Sequence, residues 1–273
     1  MHIPTKTLSN GVNIPMIGFG TWQLQGDRCY ESVINAINAG YRSIDTAKAY
    51  DNEEYVGKAI RECDIKREDL FITTKLWNAD QGYESTLKAF DISMKKLGLD
   101  VLDLYLIHWP GRSLYLDSWK AMEKLYTEGR IRAIGVSNFM QHHLVELLRS
   151  STEVPVVNQL ESHPYLRQQD AEDYCNEMGI LVEAWSPLMS GKTALGDHII
   201  EDIATRHNKT AAQVILNWHI SQGRRVIPRS SNVNRIRENI DIFDFELTNE
   251  EMESISSLAS KNIRTGPNPD IYF

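Results

Sequence analysis

Cysteine is scarce in this chain. The 3 cysteines, Cys29, Cys63 and Cys175, are odd in number, widely spaced and form no CxxC pair. That leaves neither a disulfide framework nor a cysteine-built zinc site with any basis. Long apolar runs are missing too, and none approaches the ~18 residues that a membrane span needs. The opening MHIPTKTLSNGVNIP does not show the charged stretch and apolar core of a secretory leader, so a cytoplasmic location is the expectation. Positive charge is not in excess. The 29 Lys and Arg stand against 37 Asp and Glu, a formal net charge of -8. Such a surface is not built to coat nucleic acid, although a local basic pocket for a phosphorylated small molecule remains open. No Gly-, Pro- or Ser-rich linker divides the chain, so residues 1–273 read as a single domain. Finally, there is no GxGxxG. GFGTW at 18–22 lacks the third glycine and does not open a helix as a Rossmann fingerprint must.

What is present is an ordinary globular composition, 42% hydrophobic and 24% charged. Asn10-Gly11, set between Thr7-Leu8 and Val12–Ile14, predicts a β-hairpin with two turn residues able to take positive φ. Eight short apolar stretches follow, at 16–19, 41–45, 71–75, 103–107, 132–137, 156–160, 180–185 and 225–228. The segments between them carry helical periodicity. Tyr30, Val33, Ile34 and Ile37 form one stripe; Leu87, Phe90, Met94 and Leu97 a second; Trp119, Met122, Leu125 and Tyr126 a third. Gly40 and Gly129 stand just before strands, where helix C-caps belong. Strict β-α alternation predicts an α/β fold with a parallel sheet. Eight repeats favour a closed (β/α)8 barrel, with a doubly wound open sheet as the alternative. The residues from about 259 onward, containing GPNP, read as a short irregular tail across the surface.

In a barrel, chemistry gathers at the C-terminal ends of the strands. Asp45 ends the second predicted strand with Tyr50 in the following loop, Lys75 ends the third, and His108 ends the fourth. Each alone could be a helix cap, a solvated tip or a core residue. Together they form a recurrent set of ionisable groups closing apolar strands, where burial without a partner is costly.

At these residues the chain resembles the aldo-keto reductases. GFGTW at 18–22, IDTAKAYDNE at 44–53, ITTKLW at 72–77, LIHWP at 106–110, IGVSNF at 134–139, NQLESHPY at 158–165 and IPRSSNVNRIRENIDIFDFEL at 227–247 are similar to that family's signatures from end to end. The resemblance implies a (β/α)8 TIM barrel and an oxidoreductase using NADPH, with NADH a weaker substitute. It carries a catalytic set onto Asp45, Tyr50, Lys75 and His108. Hydride would reach the carbonyl carbon and Tyr50 would supply the proton. Lys75 would lower the phenol's pKa, Asp45 would hold Lys75, and His108 would orient the carbonyl.

The resemblance further places Ser137, Asn138 and Gln159 against the nicotinamide carboxamide and Trp185 on the ring face. Thr21 and Trp22 lie beside the cofactor. Ser186, Leu188 and Ser190 follow the pyrophosphate, with Met189 where glycine is common. Arg229, Ser230, Ser231 and Arg235 hold the 2′-phosphate, and Glu238 and Asn239 contact adenine. Trp22, Trp77, His108 and Trp109 would line the substrate pocket. The short loop after His108 and the short tail suggest an open, shallow site, similar to the small bacterial 2,5-diketo-D-gluconate and glyoxal or methylglyoxal reductases. The expected partner is a small carbonyl compound (a dicarbonyl, a keto sugar or a simple aldehyde), with no nucleic acid, membrane or metal involved. A monomer is compatible with the resemblance. Two rivals stand beside this reading. One is a phosphate-handling barrel isomerase, which leaves the Tyr50, Lys75 and His108 set unexplained. The other is a non-enzymatic, cofactor-binding barrel subunit of the same fold.

Overall fold

The computed structural model describes residues 3–111, 114–191 and 193–272. A hairpin of β1 (Thr5–Thr7) and β2 (Asn13–Pro15) opens it, paired antiparallel. Eight strands then follow: β3 (Phe19–Gly20), β4 (Ser43–Asp45), β5 (Phe71–Leu76), β6 (Leu104–Ile107), β7 (Ile134–Ser137), β8 (Val157–Glu161), β9 (Leu181–Trp185) and β10 (Arg225–Val226). They lie side by side in sequence order, every pair parallel. A parallel bridge between Ile17 and Val226 joins the last strand to the first. The Gly18 and Gly20 amides extend it, donating to the carbonyls of Val226 at 2.9 Å and Pro228 at 3.1 Å. The sheet is therefore a closed barrel, and the open-sheet alternative is excluded by these bonds.

Helices follow the strands as the periodicity requires: α1 (Gly26–Ala39), α2 (Glu53–Glu62), α3 (Tyr83–Leu97), α4 (Tyr115–Thr127), α5 (Gln141–Leu148), α6 (Gln169–Glu177), α7 (His198–His207), α8 (Ala211–Ser221), α9 (Val233–Ile240) and α10 (Asn249–Ser257). The three predicted stripes face inward: Val33, Ile37, Phe90, Met94, Leu97, Trp119, Met122 and Leu125 are all buried in one cluster between helices and strands. Gly40 ends α1 at φ +110, the left-handed cap expected of it. Gly135 serves a different need, since a Cβ there would stand 2.6 Å from the Val157 carbonyl oxygen.

The hairpin plugs the bottom of the barrel. Leu8 and Ile14 pack with Phe71, Leu104, Leu106, Val157 and Leu181. Its turn differs in detail from expectation. Only Gly11 takes positive φ, at +86, and Asn10 does not. The Leu8 and Val12 backbone bond at 2.8 Å closes a longer loop than a two-residue turn. Strand ends also shift. The first barrel strand is two residues long because the bridge at Ile17 lies outside it, and the last one stops at Val226 before Pro228, which has no N–H to give. Among the described residues, no helix is long and apolar enough to cross a membrane.

Candidate active site

The C-terminal ends of β4, β5 and β6 bring Asp45, Lys75 and His108 to one place. Tyr50 arrives on the loop after β4. That loop is fixed by its own polar residues. Asn52, fully buried, donates to the Thr21 and Leu24 carbonyls at 2.9 Å each and accepts from Thr46 Oγ1 at 2.6 Å. Gln25 donates to the Tyr50 carbonyl at 2.6 Å. The Tyr50 ring is thereby held edge-on to His108, centroids 5.6 Å apart.

Lys75 has no solvent exposure. Its ammonium donates to Asp45 Oδ1 at 2.6 Å, to the Thr46 carbonyl at 2.9 Å and to Tyr50 Oη at 3.3 Å. All three N–H bonds of a protonated lysine are therefore used, which leaves the Tyr50 hydroxyl hydrogen free to point away from Lys75. Burial disfavours the Lys75 charge, but the Asp45 carboxylate and Tyr50 outweigh it and its pKa rises. The phenol departs from the expected direction. Burial pushes the Tyr50 pKa up, and Lys75 only partly opposes this, with Asp45 adding to the rise. Tyr50 thus keeps its proton through neutral pH instead of being primed as phenolate. His108 is pushed well below the usual histidine range by burial and then by Lys75. It is a neutral imidazole, able to donate a hydrogen bond but not to serve as an imidazolium acid.

Behind this set lies a second one, in which sequence reasoning named Gln159 but missed Glu183 and Arg225. Gln159 donates from Nε2 to Asp45 Oδ2 at 2.9 Å and also to Glu183. Glu183, fully buried, pairs with the equally buried Arg225, whose Nη2 donates to Ser43 Oγ at 2.6 Å. Both neighbours of the Gln159 amide are carboxylates that only accept, so its Oε1 is turned the other way. A glutamate inside the apolar run ILVEAW and the doubled arginine at 224–225 were the available signals.

The remaining candidates group as follows. Ser137 Oγ donates to the Gln159 carbonyl at 2.9 Å. Asn138, at φ +65, donates to the His108 carbonyl at 3.0 Å and accepts from Trp185 Nε1 at 2.8 Å. This chain of bonds ties the ends of β6, β7, β8 and β9 together. Thr21 is buried, with its hydroxyl on the Asp45 carbonyl at 3.0 Å. Ser186, Met189 and Ser190 all take positive φ, so the loop keeps a left-handed path although Met189 stands where glycine was expected. Leu188 packs between the two helical clusters. Glu238 is engaged by Thr210 Oγ1 at 2.8 Å, and Asn239 is buried.

The basic cluster is larger than the sequence indicated. Arg28, from α1, donates to Ser231 Oγ at 2.5 Å, and Arg229 donates to Gln23 at 2.7 Å. Burial, then Arg28 and Arg235, lower the Arg229 pKa, as three converging guanidiniums must. Among the described residues none of the three is ion-paired with a carboxylate. Ser230 is buried beside them. Position 28 lies about 200 residues from the others, so no local pattern could reveal it.

Of the aromatic residues, Trp77 stands edge-on to His108 at 5.4 Å and Trp109 is stacked beyond it at 6.4 Å. Trp22 is 52% exposed and walls nothing in on its own. The tail is more than a surface strand. Glu161, at the end of β8, accepts from the Thr265 amide at 2.5 Å and its hydroxyl at 2.6 Å. Gly266 lies so close to the Trp185 ring that a Cβ would meet it at 2.3 Å. Tyr272 then packs on Trp109, centroids 4.6 Å apart. The tail thus runs against Trp185 and Trp109. In the loop after His108, Arg112 and Ser113 lie outside the described residues, as does Phe273 at the end of the tail.

The pattern of the aldo/keto reductase family matches residues 16–260. The chain belongs to this family. It is 55% identical over 267 residues to the glyoxal reductase of Bacillus subtilis (strain 168), covering 97% of this chain and 96% of that one. It is 43% identical over 268 residues to the methylglyoxal reductase DkgA of Escherichia coli (strain K12), covering 97% and 96%. Among solved structures, a mutant of Gox0644 in complex with NADPH superposes with a TM-score of 0.95 at 40% identity, over 100% of both chains. In this aldo-keto reductase the ends of β4, β5 and β6 bring Asp45, Lys75 and His108 together around Tyr50.

Proposed function

We propose that this chain is an NADPH-dependent carbonyl reductase in which Tyr50 is the proton donor. The observation carrying the proposal is the saturated Lys75 ammonium, bonded to Asp45, Thr46 and Tyr50. It leaves Tyr50 with one proton and one direction in which to deliver it. NADPH, when bound, supplies the hydride. The chain's own part is to hold the carbonyl oxygen between the Tyr50 hydroxyl and the neutral His108 imidazole, and to protonate it as charge builds there. Asp45 keeps Lys75 charged, and Lys75 stabilises the phenolate left behind. In alcohol oxidation the same Tyr50 takes the proton back.

The chain's residues fit the cofactor. Three guanidiniums with no carboxylate partner among the described residues, with Ser230 and Ser231, make a cradle for a 2′-phosphate. That favours NADPH over NADH, and adds Arg28 to Arg229 and Arg235. Trp185 offers a ring face for the nicotinamide, and Gln159 Oε1 an acceptor for its carboxamide. Substrates are small carbonyl compounds, such as dicarbonyls, keto sugars or simple aldehydes. Their site lies between Trp77, His108 and Trp109, with Trp22 at the mouth. The coupled buried charges of the proton-transfer set count against a non-enzymatic barrel subunit. A cytoplasmic location remains part of the proposal.

The test is NADPH oxidation followed by absorbance, with methylglyoxal and a panel of aldehydes and keto sugars, for the parent and for Tyr50→Phe. Turnover lost in the variant supports the reading. NADPH binding without turnover on the whole panel favours the non-enzymatic alternative, and absent NADPH binding defeats the proposal.

A further inference from the structure

Outside the reductase site, a second group of ligating side chains lies where the tail meets α5. His142 and His143 occupy the first turn of that helix, rings tilted and centroids 3.9 Å apart. Asp270 comes from the tail, its Oδ1 3.4 Å from His142 Nε2. One donor atom from each of the three lies within 4.8 Å of the others. We propose that His142, His143 and Asp270 bind a late first-row divalent cation such as Zn2+, and that the bound ion fastens the C-terminal tail over the active-site mouth.

The donor set suits that ion class. Two imidazoles and one carboxylate are borderline ligands of the kind Zn2+, Ni2+ and Cu2+ take, and Mg2+ or Ca2+ would ask for more oxygens. Three protein ligands leave a fourth tetrahedral position for water. Zinc bonds of about 2.0–2.2 Å put tetrahedral donors roughly 3.4 Å apart. His142 and Asp270 already stand at that spacing, and at 65% and 49% side-chain exposure both are free to close on His143. The third ligand is held in place by the helix, since His143 Nδ1 accepts from the Met140 amide at 3.1 Å and fixes the ring at the start of α5. Glu146, one turn along α5, adds negative charge near the site but is occupied by Tyr115.

The position gives the ion its effect. The tail is already tied at one end, where Glu161 holds Thr265 and Gly266 against Trp185. At its other end the Tyr272 ring packs on Trp109, and its amide donates to the Asn268 carbonyl at 3.1 Å. Asp270 lies between the two. An ion bridging it to α5 replaces the exposed His142–Asp270 contact with metal bonds and pins the end of the tail. Traffic past Trp109 and Trp185 then requires the metal clasp to open. Binding itself does not depend on the reductase reading; the effect on turnover does.

The experiment is calorimetric titration of chelator-treated enzyme with Zn2+, repeated on His142→Ala and Asp270→Asn, with NADPH turnover measured alongside. Absorption of Co2+ added in place of Zn2+ reports coordination number independently of activity. The expected result is one ion per chain, affinity at least tenfold weaker in both variants, and turnover slowed several-fold by micromolar Zn2+ in the parent but not in the variants. Three results would overturn the proposal: no stoichiometric binding, binding retained by Asp270→Asn, or Zn2+ inhibition that persists in His142→Ala.

Discussion

Replacing Tyr50 with phenylalanine removes one oxygen and its proton and little else. Among the described residues the phenol makes one hydrogen bond, to Lys75 at 3.3 Å, the longest of the three that the ammonium forms. Lys75 retains Asp45 at 2.6 Å and Thr46 at 2.9 Å in the variant, so the buried pair survives and the melting temperature should barely move. The ring itself, edge-on to His108, is preserved. What is lost is the general acid, and positioned acids contribute roughly 10²–10⁴ in rate. That range corresponds to about 3–5 kcal/mol of barrier. His108 cannot take over, because burial and Lys75 keep it neutral. kcat should therefore fall by at least about a hundredfold, measured by NADPH absorbance in single-turnover and steady-state modes. NADPH affinity, read by quenching of tryptophan emission on binding near Trp185, should be unchanged within about twofold. A fall in kcat of less than tenfold would refute the assignment of the proton. An equal loss of cofactor affinity would show that Tyr50 binds rather than reacts.

Further consequences concern charge. Arg28→Ala and Arg235→Ala should each raise KM for NADPH by roughly tenfold and leave that for NADH almost untouched; equal effects on both cofactors would remove these residues from the 2′-phosphate cradle. The pH profile of reduction should show no limb near 6.5, the ordinary histidine value, since His108 lies well below it. Activity should instead decline on the alkaline side as Tyr50, raised by burial, loses its proton. A limb between pH 6 and 7 that vanishes in His108→Asn would contradict this. The Lys75 pKa is raised above its ordinary 10.5, so its contribution to stability is complete below that value and lost as pH climbs through the folded-state value. Asp45→Asn should weaken that alkaline dependence in denaturant titrations. Glu183→Gln leaves Arg225 buried without its partner and should cost about 3–5 kcal/mol in the same assay, with unchanged stability as the disproof.

Much of this molecule was legible in one dimension, because its determinants are local and periodic. Alternating apolar stretches and helical stripes dictate β-α repeats, and the stripes bury in the core between helices and strands, as Phe90 and Trp119 do. The family motifs at strand ends named Asp45, Tyr50, Lys75 and His108, since parallel strands in a barrel must present their C-terminal ends together. Closure of the sheet was not local. It rests on hydrogen bonds between residues 16–20 and 226–228, some 200 positions apart. The same separation hid Arg28 from the arginines it joins, and Glu183 and Arg225 from the site they underlie. The sign of the Tyr50 shift also required three dimensions. The sequence supplies a lysine and an aspartate, but only packing decides that desolvation outweighs Lys75. Likewise, the composition of the tail could say that it is short and irregular, whereas its course over Trp185 and Trp109 follows from where the barrel places Glu161. Residue chemistry and period are carried by neighbours in the chain; burial, convergence of like charges and access to the site depend on neighbours in space.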